Sequence, residues 1–169
     1  FSPDGKKLAY AARTGEQWCA VLDGKPGNPY QTVGQMKFST DSQMFVHRAA
    51  DELGHLVVLN NVPQRSFARI GDNTLVFSPG GKKLAYIAKT RNASFAMVDG
   101  KRKARYDMVA YLTFTPDGRH FVYAALKDAL KGGKTFTVVD EKESAHKYDA
   151  IWNPPGQPFL FDSRKKFHY

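Results

Sequence analysis

A ten-residue segment that returns along the chain constrains the fold more than any other feature. Phe1-Ser2-Pro3-Asp4-Gly5-Lys6-Lys7-Leu8-Ala9-Tyr10 recurs as Phe77-Ser78-Pro79-Gly80-Gly81-Lys82-Lys83-Leu84-Ala85-Tyr86 and as Phe114-Thr115-Pro116-Asp117-Gly118-Arg119-His120-Phe121-Val122-Tyr123. A weaker copy runs from Phe38-Ser39-Thr40-Asp41-Ser42 to His47. Thirteen residues beyond Tyr10, His47 and Tyr86 stand Asp23, Asn60 and Asp99; Asp140 follows Tyr123 after seventeen. A third landmark, Tyr30, Tyr106 and Tyr148, comes seven, seven and eight residues after the Asp positions. Two registers compete for the C-terminus. Taking Trp152-Asn153-Pro154-Pro155-Gly156 as the fifth turn leaves Tyr148 four residues ahead of its Phe equivalent, whereas Tyr30 and Tyr106 stand eight ahead of Phe38 and Phe114. Taking 161–169 as the fifth copy, one residue shorter in the turn, aligns Lys165-Lys166-Phe167-His168-Tyr169 with Lys6-Lys7-Leu8-Ala9-Tyr10 and is preferred. The units then start at 1, 38, 77, 114 and 161, at spacings of 37, 39, 37 and 47. The long fourth unit holds extra residues around Lys127 to Lys134 and around Trp152 to Pro158. Extra residues in one repeat map to loops, and such loops often line a binding face.

Each unit holds four short runs rich in β-branched and aromatic residues, bounded by Gly, Pro, Asp and Asn, which is the strand signature. In the third unit the runs are Leu75-Val76-Phe77, Lys83 to Ala88, Ser94 to Val98 and Tyr106 to Val109. No window keeps a helical apolar period for three turns; Asp128-Ala129-Leu130-Lys131 has room for one short turn. Ser-Pro-Asp-Gly closes a hairpin for stated reasons: proline pre-sets φ, aspartate suits the third position and glycine accepts the left-handed conformation. Four-stranded antiparallel units at a period near 40 are the mark of a β-propeller, in which each unit is a blade that buries its faces on its neighbours. The expected fold is therefore all-β, a propeller of about four blades plus the start of a fifth, within a single region spanning 1–169. Because the last nine residues duplicate the role of the first ten, the chain is expected to be part of a larger propeller.

The motif Phe-Ser-Pro-Asp-Gly-Lys-Lys-Leu-Ala-Tyr resembles the blade motif of TolB-type, WD-repeat-like bacterial propellers. Val21-Leu22-Asp23-Gly24-Lys25 followed by Pro29-Tyr30 is similar to a subset of them. The resemblance covers essentially the whole chain. It implies a propeller whose relatives include scaffolds, envelope assembly partners and domains attached to peptidases, and it implies a bacterial envelope location.

The chemical motifs point away from catalysis. The chain has no Gly-x-Ser-x-Gly elbow, His-Glu-x-x-His, Gly-rich phosphate loop or EF-hand loop. Its five histidines form no ligand cluster in sequence, and one cysteine, Cys19, allows neither an intramolecular disulfide nor a Cys-based zinc site. No catalytic residue, metal or cofactor is expected. Cys19 and His47 read as packing residues, and the recurring Phe1, Phe38, Phe77 and Phe114 as inter-blade core.

The remaining signal is charge. The chain carries a net +9, and its second half is the more basic. Lys101, Arg102, Lys103 and Arg105 form the densest cluster. Strand alternation sends the first-to-second and third-to-fourth turns of each blade to one face, so the lysines after both turns, Lys6, Lys7, Lys82 and Lys83 with Lys25 and the 101–105 cluster, should share it. Lysines also flank sheet edges simply to keep them soluble. Trp152, which has no repeat equivalent and stands in an expanded loop, is the candidate exposed anchor, since Trp is enriched at binding hot spots. Together these observations favour a non-enzymatic scaffold that binds a protein or peptide through its loop faces. The runner-up is the accessory propeller of a larger enzyme of the prolyl oligopeptidase type. A third reading is polyanion or nucleic-acid binding by the basic face.

Overall fold

The computed structural model describes residues 1–151 and Phe159. The expected fifth repeat at 161–169 and the expanded segment 152–158, with Trp152, lie outside the described residues. Apart from one 3-10 turn at Ala129–Lys131, the regular structure of the described residues is antiparallel strand. Among the described residues no helix is long and apolar enough to cross a membrane.

Four sheets follow one another along the chain as propeller blades. The first holds β1 (Ala9–Thr14), β2 (Gln17–Leu22) and β3 (Lys25–Pro26). The second holds β4 (Thr32–Phe38), β5 (Phe45–Asp51), β6 (Gly54–Leu59) and β7 (Val62–Pro63), paired in that order. In the third, β8 (Arg69–Ile70) and β9 (Val76–Phe77) both pair with β10 (Leu84–Thr90), followed by β11 (Ala93–Val98) and β12 (Lys101–Arg102). The fourth holds β13 (Met108–Phe114), β14 (Phe121–Lys127), β15 (Lys134–Val139) and β16 (Lys142–Glu143).

The sheets are out of phase with the sequence units. Tyr106 to Val109 reads in sequence as the last strand of the third unit, yet the chain changes sheet within it. Tyr106 N–H donates to Ser94 O at 3.0 Å, extending the outer strand of the third sheet, whereas Asp107 N–H donates to Leu126 O at 3.0 Å in the fourth. Lys101–Arg102 is the outer strand of the third sheet, and Met108 opens the innermost strand of the next. Tyr30 and Gln31 divide in the same way between Trp18 O and Ala50 O. Each of the first three sequence units therefore contributes three strands to one blade and the first strand to its successor.

Local chemistry explains the hairpins. Ser2, Ser39 and Thr115 each donate their hydroxyl to the aspartate two residues on, at 2.6 Å. The same hydroxyl oxygens accept the N–H groups of Lys7, Met44 and His120, closing the turn from its other side. Gly5, Gly81 and Gly118 supply the left-handed φ of 70°, 72° and 68° that these turns require, and Ser42 fills the position in the second blade at 60°. The aspartates of the next-but-one hairpin have a second use. Asp23, Asn60 and Asp99, each at φ 49°, accept the first N–H of the blade's second strand, from Leu8, Phe45 and Leu84 at 2.8, 2.8 and 3.0 Å. Asp140 does the same for Phe121 N–H at 3.1 Å. Both turn types thus lie side by side on one face.

Strand alternation builds the seams between blades. Leu84, Tyr86 and Ala88 of β10 pack with Val46 and Val57 of the second sheet, while Ala85 and Ile87 pack with Tyr123, Ala125 and Phe136 of the fourth. The aromatic landmark latches each seam: Tyr30 meets His47 with ring centroids 6.1 Å apart, and Tyr106 meets Tyr123 at 6.0 Å and Phe136 at 5.8 Å. In the second blade the latch is Phe67, 5.4 Å from Phe95. Phe77 and Phe114 are buried at 7% and 5% exposure, but Phe1 is 82% exposed, because it precedes β1 and is held in no ladder. Cys19 is half-buried.

Candidate binding faces

The face formed by the two turn types is less free than its lysine content implies. Lys7 Nζ donates to the Ser42 carbonyl at 2.7 Å and Lys83 Nζ to the Arg119 carbonyl at 3.4 Å, so the second lysine of each Lys-Lys pair ties one blade's turn to the next. Thr40 makes a third link, through its hydroxyl to Pro79 O at 2.7 Å. Hydroxyl and backbone N–H donors hold the carboxyls of Asp4, Asp41 and Asp117 below the usual carboxylate range, the Ser or Thr hydroxyl being the largest cause. These carboxylates close turns. Lys6, Lys25 and Lys82 remain exposed.

The 101–105 cluster is split. Lys101 and Arg102 are exposed on the outermost strand of the third blade, with the Arg102 guanidinium 5.4 Å from the Phe95 ring centroid. Lys103 crosses to the fourth blade, where it pairs with Glu141 at 3.2 Å and lies 5.3 Å over the Phe121 ring; its side chain is only 17% exposed, so it serves the seam. Arg105 reaches the opposite end of the blade and donates to the Asn92 carbonyl in the β10–β11 hairpin at 3.2 Å. Strand β12 spans two residues, so a few positions along the chain are enough to carry side chains from one face to the other.

The opposite face carries the second-to-third-strand hairpins. Three of them are tight, turning at Gly15-Glu16, Glu52-Leu53 and Arg91-Asn92, while the fourth runs from Asp128 to Gly133 and contains the 3-10 turn. At this end Asp72 accepts from both Arg48 and Arg69, and the two guanidinium groups hold its carboxyl below the usual range. A cleft of about 670 Å³ opens between the third and fourth sheets, with Ile87, Val109, Ala125 and Leu126 on its apolar walls and Asp72 and Lys89 among its polar groups. Sequence reading located the extra residues of this hairpin but assigned no site residue to them.

The blades, seams and turn faces define an all-β propeller region. No family model and no curated protein matches the chain. Among solved structures, it is similar to TolB from Acinetobacter baumannii at 16% identity and a TM-score of 0.49, covering 81% of this chain and 40% of that one. It is similar to a TolB of Agrobacterium tumefaciens at 17% identity and a TM-score of 0.48, covering 82% and 56%. Prolyl oligopeptidase B from Galerina marginata matches at 13% identity and a TM-score of 0.44, covering 89% of this chain and 30% of that one. The chain thus spans about half or less of the lengths of these structures.

Proposed function

We propose that this region is a propeller scaffold that binds a protein or peptide partner through its loop-bearing faces and performs no chemistry on it. The observation that carries the proposal is the outer edge of the third blade. Among the described residues strand β12 pairs with β11 on one side only, and its two residues, Lys101 and Arg102, are both exposed. An open strand edge flanked by cations suits an extended acidic segment, which gains backbone hydrogen bonds and charge pairing together. Trp152 is assigned as a second contact on the sequence argument alone. A bacterial envelope location, implied by the family resemblance, belongs to the same proposal.

The test is chemical cross-linking and capture in extract with the wild-type chain and with Lys101→Glu/Arg102→Glu. A partner retained by the wild type and lost from the variant supports the scaffold. Retention of the same partner by both removes the β12 edge from it. Turnover of the captured partner by the wild-type chain would overturn the non-enzymatic reading.

A further inference from the structure

The enlarged hairpin of the fourth blade builds a groove of its own. It measures about 380 Å³ and is lined by Lys127, Lys131, Lys134 and Lys147 around Phe136, with Asp128 the one acidic lining residue among the described residues. Two of the cations are held over one ring, since Lys127 Nζ and Lys147 Nζ lie 5.7 and 5.8 Å from the Phe136 centroid. Lys127 also pairs with Glu143, and Lys134 with Asp149, from outside the lining. Those pairs are solvent-exposed, at 46%/34% and 50%/93%, and exposed pairs contribute little net stability. Asp149, 93% exposed, can therefore yield Lys134 to a ligand carboxylate at small cost, whereas Glu143 stays in place because it also accepts the hydroxyl of buried Tyr106 at 3.1 Å. Lys131 and Lys147 have no ion-pair partner among the described residues.

The loop is pinned in this shape. Asp128 and Gly132 are both left-handed, at φ 56° and 73°, and bracket the 3-10 turn. Asp107 accepts Ala129 N–H at 2.9 Å, and Lys131 N–H donates to Asp128 O at 2.8 Å. Gly133 packs so closely on the Lys127 carbonyl that a Cβ there has no room. A right-handed turn ending in a left-handed glycine is also the backbone arrangement whose successive N–H groups form anion-binding concavities. Beside the groove Leu130 stands fully exposed at 103%. A polyphosphate or nucleic-acid backbone offers nothing apolar to cover it, and the groove's aromatic ring, Phe136, is 1% exposed and cannot stack a base.

We infer that this groove binds an acidic peptide segment of a protein partner that also carries an apolar residue for Leu130. This rests on the protein-binding reading above but places contact on the opposite face from β12. The test is fluorescence anisotropy of the full chain with a labelled Glu/Asp-rich peptide containing leucines, its Gln/Asn isostere and a single-stranded oligonucleotide. Variants are Lys131→Glu/Lys147→Glu, Leu130→Ser, Lys101→Glu/Arg102→Glu at the β12 edge and, as control, Arg13→Glu/Arg65→Glu at two exposed positions outside both sites, each checked for an unchanged unfolding midpoint. The acidic peptide is expected to bind and the isostere not to. Charge reversal at 131 and 147 should weaken binding about tenfold or more, Leu130→Ser several-fold, and the control should leave it unchanged. An unaffected Lys131→Glu/Lys147→Glu variant overturns the groove. So does oligonucleotide binding that shows the same loss while Leu130→Ser changes nothing. Loss of peptide binding in Lys101→Glu/Arg102→Glu alone moves the contact to the β12 edge, which overturns the groove and leaves the scaffold reading standing. If no peptide binds and no partner is captured at β12, both readings fall.

Discussion

Asp99 is asked to do two things at once, and a substitution series separates them. Its Oδ1 accepts the N–H of Leu84, a residue only 5% exposed, and its own backbone is left-handed at φ 49°. In Asp99→Ala the buried Leu84 N–H loses its acceptor, which costs about 1–3 kcal/mol. Alanine at a left-handed φ adds about 1 kcal/mol, since the Cβ crowds its own carbonyl and no short polar side chain compensates. The sum is about 2–4 kcal/mol. Asp99→Asn keeps both functions, as Asn60 does at the same φ with Phe45 N–H at 2.8 Å, and is expected within about 0.5 kcal/mol of wild type. Asp99→Gly keeps the backbone and loses the acceptor, so it should fall between them. Urea denaturation at constant m-value, followed by circular dichroism, measures the series. An Asp99→Ala variant as stable as wild type, or an Asp99→Asn variant as unstable as Asp99→Ala, would refute the cross-turn bond as the reason for aspartate here.

Three further outcomes are expected. Burial lowers the pKa of His47, which is 2% exposed between the rings of Tyr30 and Phe45, below its ordinary value of 6.5. The unfolded chain then takes up the proton first, so stability should be level above that value and fall on acidification below it, by at most about 1.4 kcal/mol per pH unit. His47→Tyr, the residue at this point in the flanking blades, should remove that component from the pH dependence of urea midpoints. Gly133→Ala places a Cβ against the Lys127 carbonyl, whereas Gly132→Ala meets open space and pays only for φ 73°; thermal unfolding should show the first as the costlier, by about 1 kcal/mol or more. The Tyr86 hydroxyl is buried without a hydrogen-bond partner among the described residues, and burial pushes its pKa up to about 12. Tyr86→Phe should therefore stabilise by about 1 kcal/mol. It should also lessen the stability lost as pH rises from about 10, where the unfolded tyrosine ionises first.

The fold was legible because turn chemistry is local. Phe-Ser-Pro-Asp-Gly specifies a hairpin from five adjacent residues, and its recurrence specifies how many there are. Sheet membership is not local. Tyr106 to Val109 holds no glycine or proline to mark a break, and only hydrogen bonds to Ser94 on one side and Leu126 on the other show that the chain has changed blade. The cross-turn acceptors were hidden for a similar reason. Leu8 and Asp23, Phe45 and Asn60, and Leu84 and Asp99 are each fifteen residues apart, a recurrence visible in sequence but easily credited to turn preference alone. Phe67 was missed as the second blade's latch because tyrosine was sought where any aromatic serves; its distance from Asn60 matches that of Tyr30 from Asp23. At the candidate faces, composition counted Lys7, Lys83 and Lys103 with the free cations. Burying a lysine stem and spending its ammonium on a neighbouring blade leaves no mark on the count.

The offset between sequence units and blades bears on how such a chain can lengthen. If the unit that is copied runs from one Phe-Ser junction to the next, every copy brings the second, third and outer strands of its own blade and the innermost strand of the next. Joining Phe38 directly to Ser78, or inserting one more unit at that junction, would leave each remaining sheet with its full set of strands and change only the number of sheets. The copied segment is thus a link between blades, and a chain assembled from links can gain or lose one without leaving a sheet half-built.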